Sequence, residues 1–195
     1  MHTILITGGR TGIGKALVKV FAASGHQVIA CSRQIKANHF QHDIYEHHLN
    51  VLDPNSIAQL FEDLDKENLH VDILINNAGT GIYKPFLEIN LAEWDLVMNT
   101  NIRGNFLCTQ AAISRMILYG GGRIINIGSI IEKYPRPMNS VYAASKAAIS
   151  NLSSQLNEEL LHQRIRISNI FLGATDTAIL NSQRIRHQDF FLLKN

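Results

Sequence analysis

TILITGGRTGIG, residues 3–14, decides how this chain folds. Its first five residues are apolar or β-branched at every position. That suits a strand covered on both faces rather than one alternating between core and water. Glycines follow at 8, 9, 12 and 14, where the chain must turn and where missing side chains let backbone N–H groups approach a ligand. From Gly14 the pattern predicts a helix over 14–24, and a helix N-terminus carries partial positive charge suited to a pyrophosphate. The spacing, Gly8-x-x-x-Gly12-x-Gly14, departs from the common G-x-G-x-x-G dinucleotide fingerprint. Position therefore carries the reading: the loop leaves a first strand and opens a first helix. Gly8, Arg10, Thr11, Gly12, Ile13 and Gly14 are its candidate cofactor-contacting residues.

Working outward, short apolar runs at 27–31, 44–50, 72–76, 122–128 and 165–171 read as further strands. Amphipathic stretches at 54–67, 91–118 and 139–162 read as helices, with Asp53 as N-cap and Pro54 in the first turn. The alternation predicts a doubly wound parallel sheet, a Rossmann-like α/β/α arrangement of three layers. The connection over 32–43 is short and leaves room for about two helical turns at ~3.6 residues each. With no repeat or Pro/Ser linker, 1–195 reads as one dinucleotide-binding domain. Residues 178–195 are a short tail or lid remnant ending in the apolar patch Phe190, Phe191, Leu192 and Leu193.

A net charge of +2 over 195 residues, with its arginines scattered apart from a basic tail, lacks the concentrated footprint of a nucleic-acid binder. No segment approaches the ~18 apolar residues of a membrane span. The N-terminus shows neither basic region nor cleavage pattern. Cys31 and Cys108 form no CxxC and read as buried reduced thiols, which points to the cytoplasm. His39, His42, His47 and His48 cross a loop and a strand whose alternate positions face opposite ways, so no metal site is expected.

The second predicted strand ends in CSR, residues 31–33. An acid at this place in dinucleotide folds bonds the ribose 2′-OH, whereas an arginine suits a 2′-phosphate. Ser32 and Arg33 stand here without an acid, and Arg10 adds a second cation. The residues favour NADP(H), with NAD(H) possible.

Three more stretches carry chemistry: NNAG (76–79), INIGS (125–129) and YAASK (142–146). Ser129 falls at the carboxyl end of a strand, where open α/β sheets bind ligands. Tyr142 and Lys146, four apart on a helix, share one face. A nearby cation favours the phenolate and is expected to draw the Tyr142 pKa down.

With the glycine loop, these motifs resemble the short-chain dehydrogenase/reductase family in order and spacing, over nearly the whole chain. The resemblance implies hydride transfer between a nicotinamide and a carbonyl or secondary alcohol. It implies Tyr142 as general acid/base, Lys146 beside the nicotinamide ribose, Ser129 on the substrate oxygen, and Asn101 organising a proton path to the lysine. It places Asn50 and Val51 beside the adenine and Asn77, Ala78 and Gly79 along the cofactor. It puts Gly173, Thr175 and Thr177 near the nicotinamide, with Leu172 where the family usually has proline.

Thr80, Gly81, Ile82 and Tyr83, with 130–139, would line a mostly apolar mouth. The two long helices, with Ala143, Ala144, Ala147 and Ala148 on the second, are those through which the family forms dimers and tetramers. Set against the family's usual length, the resemblance implies that the last strand and most of the substrate lid are absent. That keeps a cofactor-binding module without turnover as the alternative.

Overall fold

The computed structural model describes residues 1–173 and Thr175; Thr177 and the 178–195 tail lie outside the described residues. Seven strands form one sheet: β1 (Thr3–Thr7), β2 (Gln27–Ser32), β3 (His39–Gln41), β4 (Ile44–His48), β5 (Ile73–Asn76), β6 (Gly122–Ser129) and β7 (Ile165–Leu172). Their order is β3-β4-β2-β1-β5-β6-β7. All neighbours run parallel except β3 and β4. From β1 the chain winds one way through β2 and β4, then returns through β5, β6 and β7. The reversal beside β1 is the switch point at which such sheets bind ligands, outside the carboxyl ends of their strands.

The 32–43 connection does not form helical turns. It sends out β3, which folds back on β4 through His42 and Asp43, at φ 48° and 62°. Two successive left-handed residues make the tight turn whose twist matches an antiparallel pair. Phe40 packs on Tyr45 across the hairpin, ring centroids 4.4 Å apart.

The helices are α1 (Gly12–Ala23), α2 (Pro54–Lys66), α3 (Leu91–Met98), α4 (Gly104–Leu118) and α5 (Ser140–Glu159). Pro54 opens α2, and the Asp53 carboxylate accepts from Asn55 N, as the sequence predicts. Val18, Leu17 and Phe21 of α1 cover Ile4, Ile6, Val28 and Ile75 on one face of the sheet. On the other, Leu60, Phe61 and Leu64 of α2 and Cys108, Ala112 and Met116 of α4 bury Leu5, Ile29, Leu74 and Ile124.

Two features aim this frame at the site. The expected single helix over 91–118 is interrupted at Asn99–Arg103, which winds as one π turn and buries Asn101. Such insertions recur at functional sites because they re-aim one residue. Beneath the sheet, Asn126 of β6 accepts from Asn76 Nδ2 and Asn105 Nδ2, each at 2.9 Å, and donates to Ser153 Oγ at 2.8 Å. Ser153 Oγ lies 2.9 Å from Asn169 Oδ1. This buried network joins β5, β6, β7, α4 and α5 through satisfied polar groups, fixing the strand that ends in Ser129 against the helix that carries Tyr142.

Candidate active site

Gly8 and Gly12 both hold left-handed backbone, at φ 69° and 51°, as the turn from β1 into α1 requires. Thr11 occupies the N-cap of α1 but makes no side-chain capping bond, and the first turn holds no acid. The helix thus presents its N-terminal N–H groups without a carboxylate of its own, which fits an anion. A Cβ on Gly14 would land on the Gly8 carbonyl, so only glycine lets the helix approach this closely.

The loop is clasped from β5. Asn77 Nδ2 donates to Thr7 O at 2.9 Å and to Gly8 O at 3.3 Å, while Thr7 Oγ1 accepts from Asn77 N and Ala78 N at 3.0 and 2.9 Å. The Asn77 side chain is therefore committed to the glycine loop, and the backbone of Ala78 packs against Gly8.

Ser129, Tyr142 and Lys146 come together at the carboxyl end of β6. The Ser129 hydroxyl lies close enough to the Tyr142 phenol to pull its pKa down. Lys146 Nζ lies 5.7 Å from the Tyr142 ring centroid and donates to Ile127 O at 2.7 Å. Gly79 lies against Lys146 and Asn101, since a Cβ there would sit 3.7 Å from Lys146 Nζ and 3.3 Å from Asn101 Oδ1. Asn101 does not touch Lys146 through its amide. Its Oδ1 accepts from Thr80 N, and its Nδ2 donates to Thr80 O, all at 2.8 Å, and to Ser145 Oγ at 2.9 Å. Ser145 Oγ in turn donates to Tyr142 O at 2.7 Å, locking the π turn to the helix that carries Tyr142 and Lys146.

Burial raises the Tyr142 pKa above the ordinary phenol value, with the nearby Ser129 hydroxyl pulling the other way. This reverses the expected downward shift, because desolvation outweighs any gain from the lysine at this separation. Burial also drives Lys146 down to about 8, with the Glu132 carboxylate opposing. Tyr83, anticipated only as part of the mouth, lies with its ring centroid 5.8 Å from that of Tyr142. Burial and Tyr142 together push it to about 12. Glu132 and Ser145 carried no sequence signal, since both act through partners brought together by the fold.

The lowered lysine has a consequence for stability. Below pH 8 both folded and unfolded chains carry the ammonium, and the folded state bears the full cost of burying it. Between about 8 and the ordinary 10.5, the folded chain deprotonates first and the cost disappears as pH rises. Relative to Lys146→Met, the native chain should gain roughly 2–3 kcal/mol across that window. Urea denaturation of both proteins at pH 7.5 and 10.5 measures it, and a stability difference constant with pH would contradict the buried-ammonium account.

Of the other sequence-predicted positions, Ser32 Oγ accepts from Gln34 N, and Arg33 is exposed just past β2. Asn50 Oδ1 accepts from Leu52 N, and Val51 packs where a Gly104 Cβ would sit, 3.0 Å away. Gly173 follows β7, with Thr175 Oγ1 donating to its carbonyl at 3.1 Å. Thr177 lies outside the described residues.

A glycine-lined cradle beside a Ser/Tyr/Lys cluster at the switch point of a parallel sheet is the layout of a dinucleotide-dependent enzyme. The sequence model of the family described as short chain dehydrogenase matches residues 2–188. The chain belongs to that family, whose members interconvert CH–OH and C=O groups with NAD(P). An uncharacterized oxidoreductase of Schizosaccharomyces pombe is 41% identical over 160 residues, 81% of this chain; the chain spans only 55% of that relative's length. A 3-oxoacyl-[acyl-carrier-protein] reductase of Thermotoga maritima is 32% identical over 89% of this chain and 74% of its own. Among solved structures, a serine dehydrogenase complexed with NADP+ superposes with a TM-score of 0.84 at 28% identity, over 93% of this chain and 76% of its own. A 4-hydroxyisoleucine dehydrogenase complexed with NADH gives 0.83 at 30%, over 93% and 79%.

Proposed function

We propose that this chain is an NADP(H)-dependent oxidoreductase that moves a hydride between the nicotinamide and a carbonyl or secondary alcohol, with Tyr142 as the general acid/base. The observation that carries the reading is the convergence of Ser129, Tyr142 and Lys146 at the carboxyl end of β6, beside the cradle of Gly8, Gly12 and Gly14. A bound nicotinamide supplies the hydride. The Ser129 hydroxyl orients the substrate oxygen and steadies its developing charge. The Tyr142 phenol, kept protonated at neutral pH by burial, delivers a proton to that oxygen during reduction and takes it back during oxidation. Lys146, with a pKa of about 8, sits where it can pass a proton to the tyrosine near working pH.

Arg10, Ser32 and Arg33, without an acid after β2, support a preference for the 2′-phosphorylated cofactor. We read residues 1–195 as one dinucleotide-binding domain and place it in the cytoplasm. Free, buried Cys31 and Cys108 suit a reducing compartment, and no helix among the described residues is long and apolar enough to cross a membrane. Leu91, Trp94 and Leu96 of α3 and Phe106 and Leu118 of α4 are exposed, and α5 shows Ala144 and Ala147 outward. Those surfaces support a homodimer or homotetramer; a clean monomer in light scattering would overturn that assembly.

Titration with NADPH and, in parallel, NADH, followed by nicotinamide fluorescence, tests the reading without knowledge of the substrate. The expected result is NADPH binding at least ~10-fold tighter, about 1.4 kcal/mol. Failure to bind either nucleotide would overturn the reductase reading.

A further inference from the structure

The glycine loop lies directly over β2. Gly9 N donates to Cys31 O at 2.9 Å, and a Cβ on Gly9 would meet that of Ala30 at 3.1 Å. Ala30 stands opposite Glu46 in the β2–β4 register, and Ser32, two residues on, stands opposite His48. From this loop Arg10 reaches across β2, and its Nη1 donates to Glu46 Oε1 at 2.9 Å. The cation assigned above to a 2′-phosphate is thus held by a carboxylate on the next strand, 36 residues away in sequence.

We propose that Glu46 sets the cofactor discrimination of this site by competing with the 2′-phosphate for the Arg10 guanidinium. The inference rests on the NADP(H) reading and adds a residue to it. The pair is about half-exposed on the arginine side, with side-chain exposures of 47% for Arg10 and 26% for Glu46. Exposed pairs of this kind are weak, so a phosphate ester with nearly two charges and three acceptor oxygens can displace the carboxylate. The displaced carboxylate nevertheless stays on β4 beside the incoming anion, and like charges at short range oppose each other. A ligand without the 2′-phosphate neither breaks the pair nor meets that repulsion. Glu46 therefore weakens NADP(H) selectively and holds the preference below what Arg10 and Arg33 would give together.

Two small probes isolate the term, 2′,5′-ADP and 5′-AMP, titrated calorimetrically into the full chain and into Glu46→Gln, Arg10→Ala and the double variant. Glu46→Gln should tighten 2′,5′-ADP roughly five- to tenfold and leave 5′-AMP within about twofold, since loss of an exposed pair and of one repulsion amounts to about a factor of ten. In the Arg10→Ala background the same substitution should gain less than about threefold, because the competed cation is gone. A native chain that prefers 2′,5′-ADP, with the preference unchanged by Glu46→Gln, would overturn this proposal and leave the NADP(H) reading standing. Equal affinity for the two probes in both the native chain and Glu46→Gln would overturn both. Thermal melts matching the native chain will show that the variants are folded.

Discussion

Tyr142→Phe is expected to lower kcat for carbonyl reduction roughly 10²- to 10⁴-fold, the range lost with a positioned general acid, while NADPH affinity stays within about threefold. The substitution removes one oxygen and keeps the ring, so packing against Tyr83 survives. The glycine cradle proposed for the cofactor is built on other elements, β1, α1 and the Asn77 clasp, and has no reason to change. What disappears is the proposed proton source beside Ser129. Tyr83 is a poor substitute, because burial and its neighbour Tyr142 push its pKa to about 12. Stopped-flow single turnovers, with binding measured separately, divide the two effects. Retention of more than about a tenth of kcat would mean that another group supplies the proton, since general acids contribute at least ~10².

The raised Tyr142 pKa bears on direction. A phenol held protonated is ready to act on a carbonyl substrate but must first lose its proton to accept one from an alcohol. The buried Lys146 ammonium, at about 8, holds its proton less tightly than that phenol, so in the proposed mechanism it returns a proton to Tyr142 more readily than it takes one. The i, i+4 spacing places the two residues on one helical face. It encodes the attraction between phenolate and ammonium but not the desolvation of both, which is a property of the enclosure.

The same division runs through the fold. Most of the parallel strands were legible because they are apolar on both faces, as β1 is, buried throughout, and α2 because Asp53 and Pro54 mark its start. Strand β3 was not, since His39, Phe40 and Gln41 are all exposed and leave no periodicity. The left-handed turn at His42 and Asp43 uses residues other than the usual Asn-Gly or Asp-Gly pair. The π turn at Asn99–Arg103 was hidden for another reason: one extra residue in a helix shifts phase without breaking composition, and no proline announces it. In the site, motifs gave the membership of Ser129, Tyr142 and Lys146. The bonds that hold them, from Asn101 through Ser145 to the Tyr142 carbonyl, depend on side chains meeting across 44 residues of sequence. The Arg10–Glu46 pair is the same case, because strand register and not local pattern places the carboxylate.

Gly14→Ala is expected to reduce NADPH affinity at least ~10-fold and to cost about 1–3 kcal/mol of stability, the usual toll of forcing a methyl into a packed site. The added carbon would land on the Gly8 carbonyl and lie 2.6 Å from Asn77 Nδ2. Neither can yield alone. Gly8 O accepts from Asn77, Asn77 donates also to Thr7 O, and Thr7 Oγ1 holds the backbone of residues 77 and 78. Relief therefore has to move α1 away from β1, opening the cradle that its N-terminal N–H groups form. Gly25→Ala is the control. Gly25 also sits in the left-handed region, at φ 76°, but a Cβ there would meet nothing within 4 Å. It should lose about 1–2 kcal/mol from backbone strain alone and keep its NADPH affinity. Chemical denaturation and nicotinamide fluorescence on both variants separate general destabilisation from damage to the cradle. If Gly14→Ala binds NADPH as the native chain does, the close approach of α1 to the glycine loop is a packing feature, and the dinucleotide site must be sought elsewhere on the sheet's carboxyl edge.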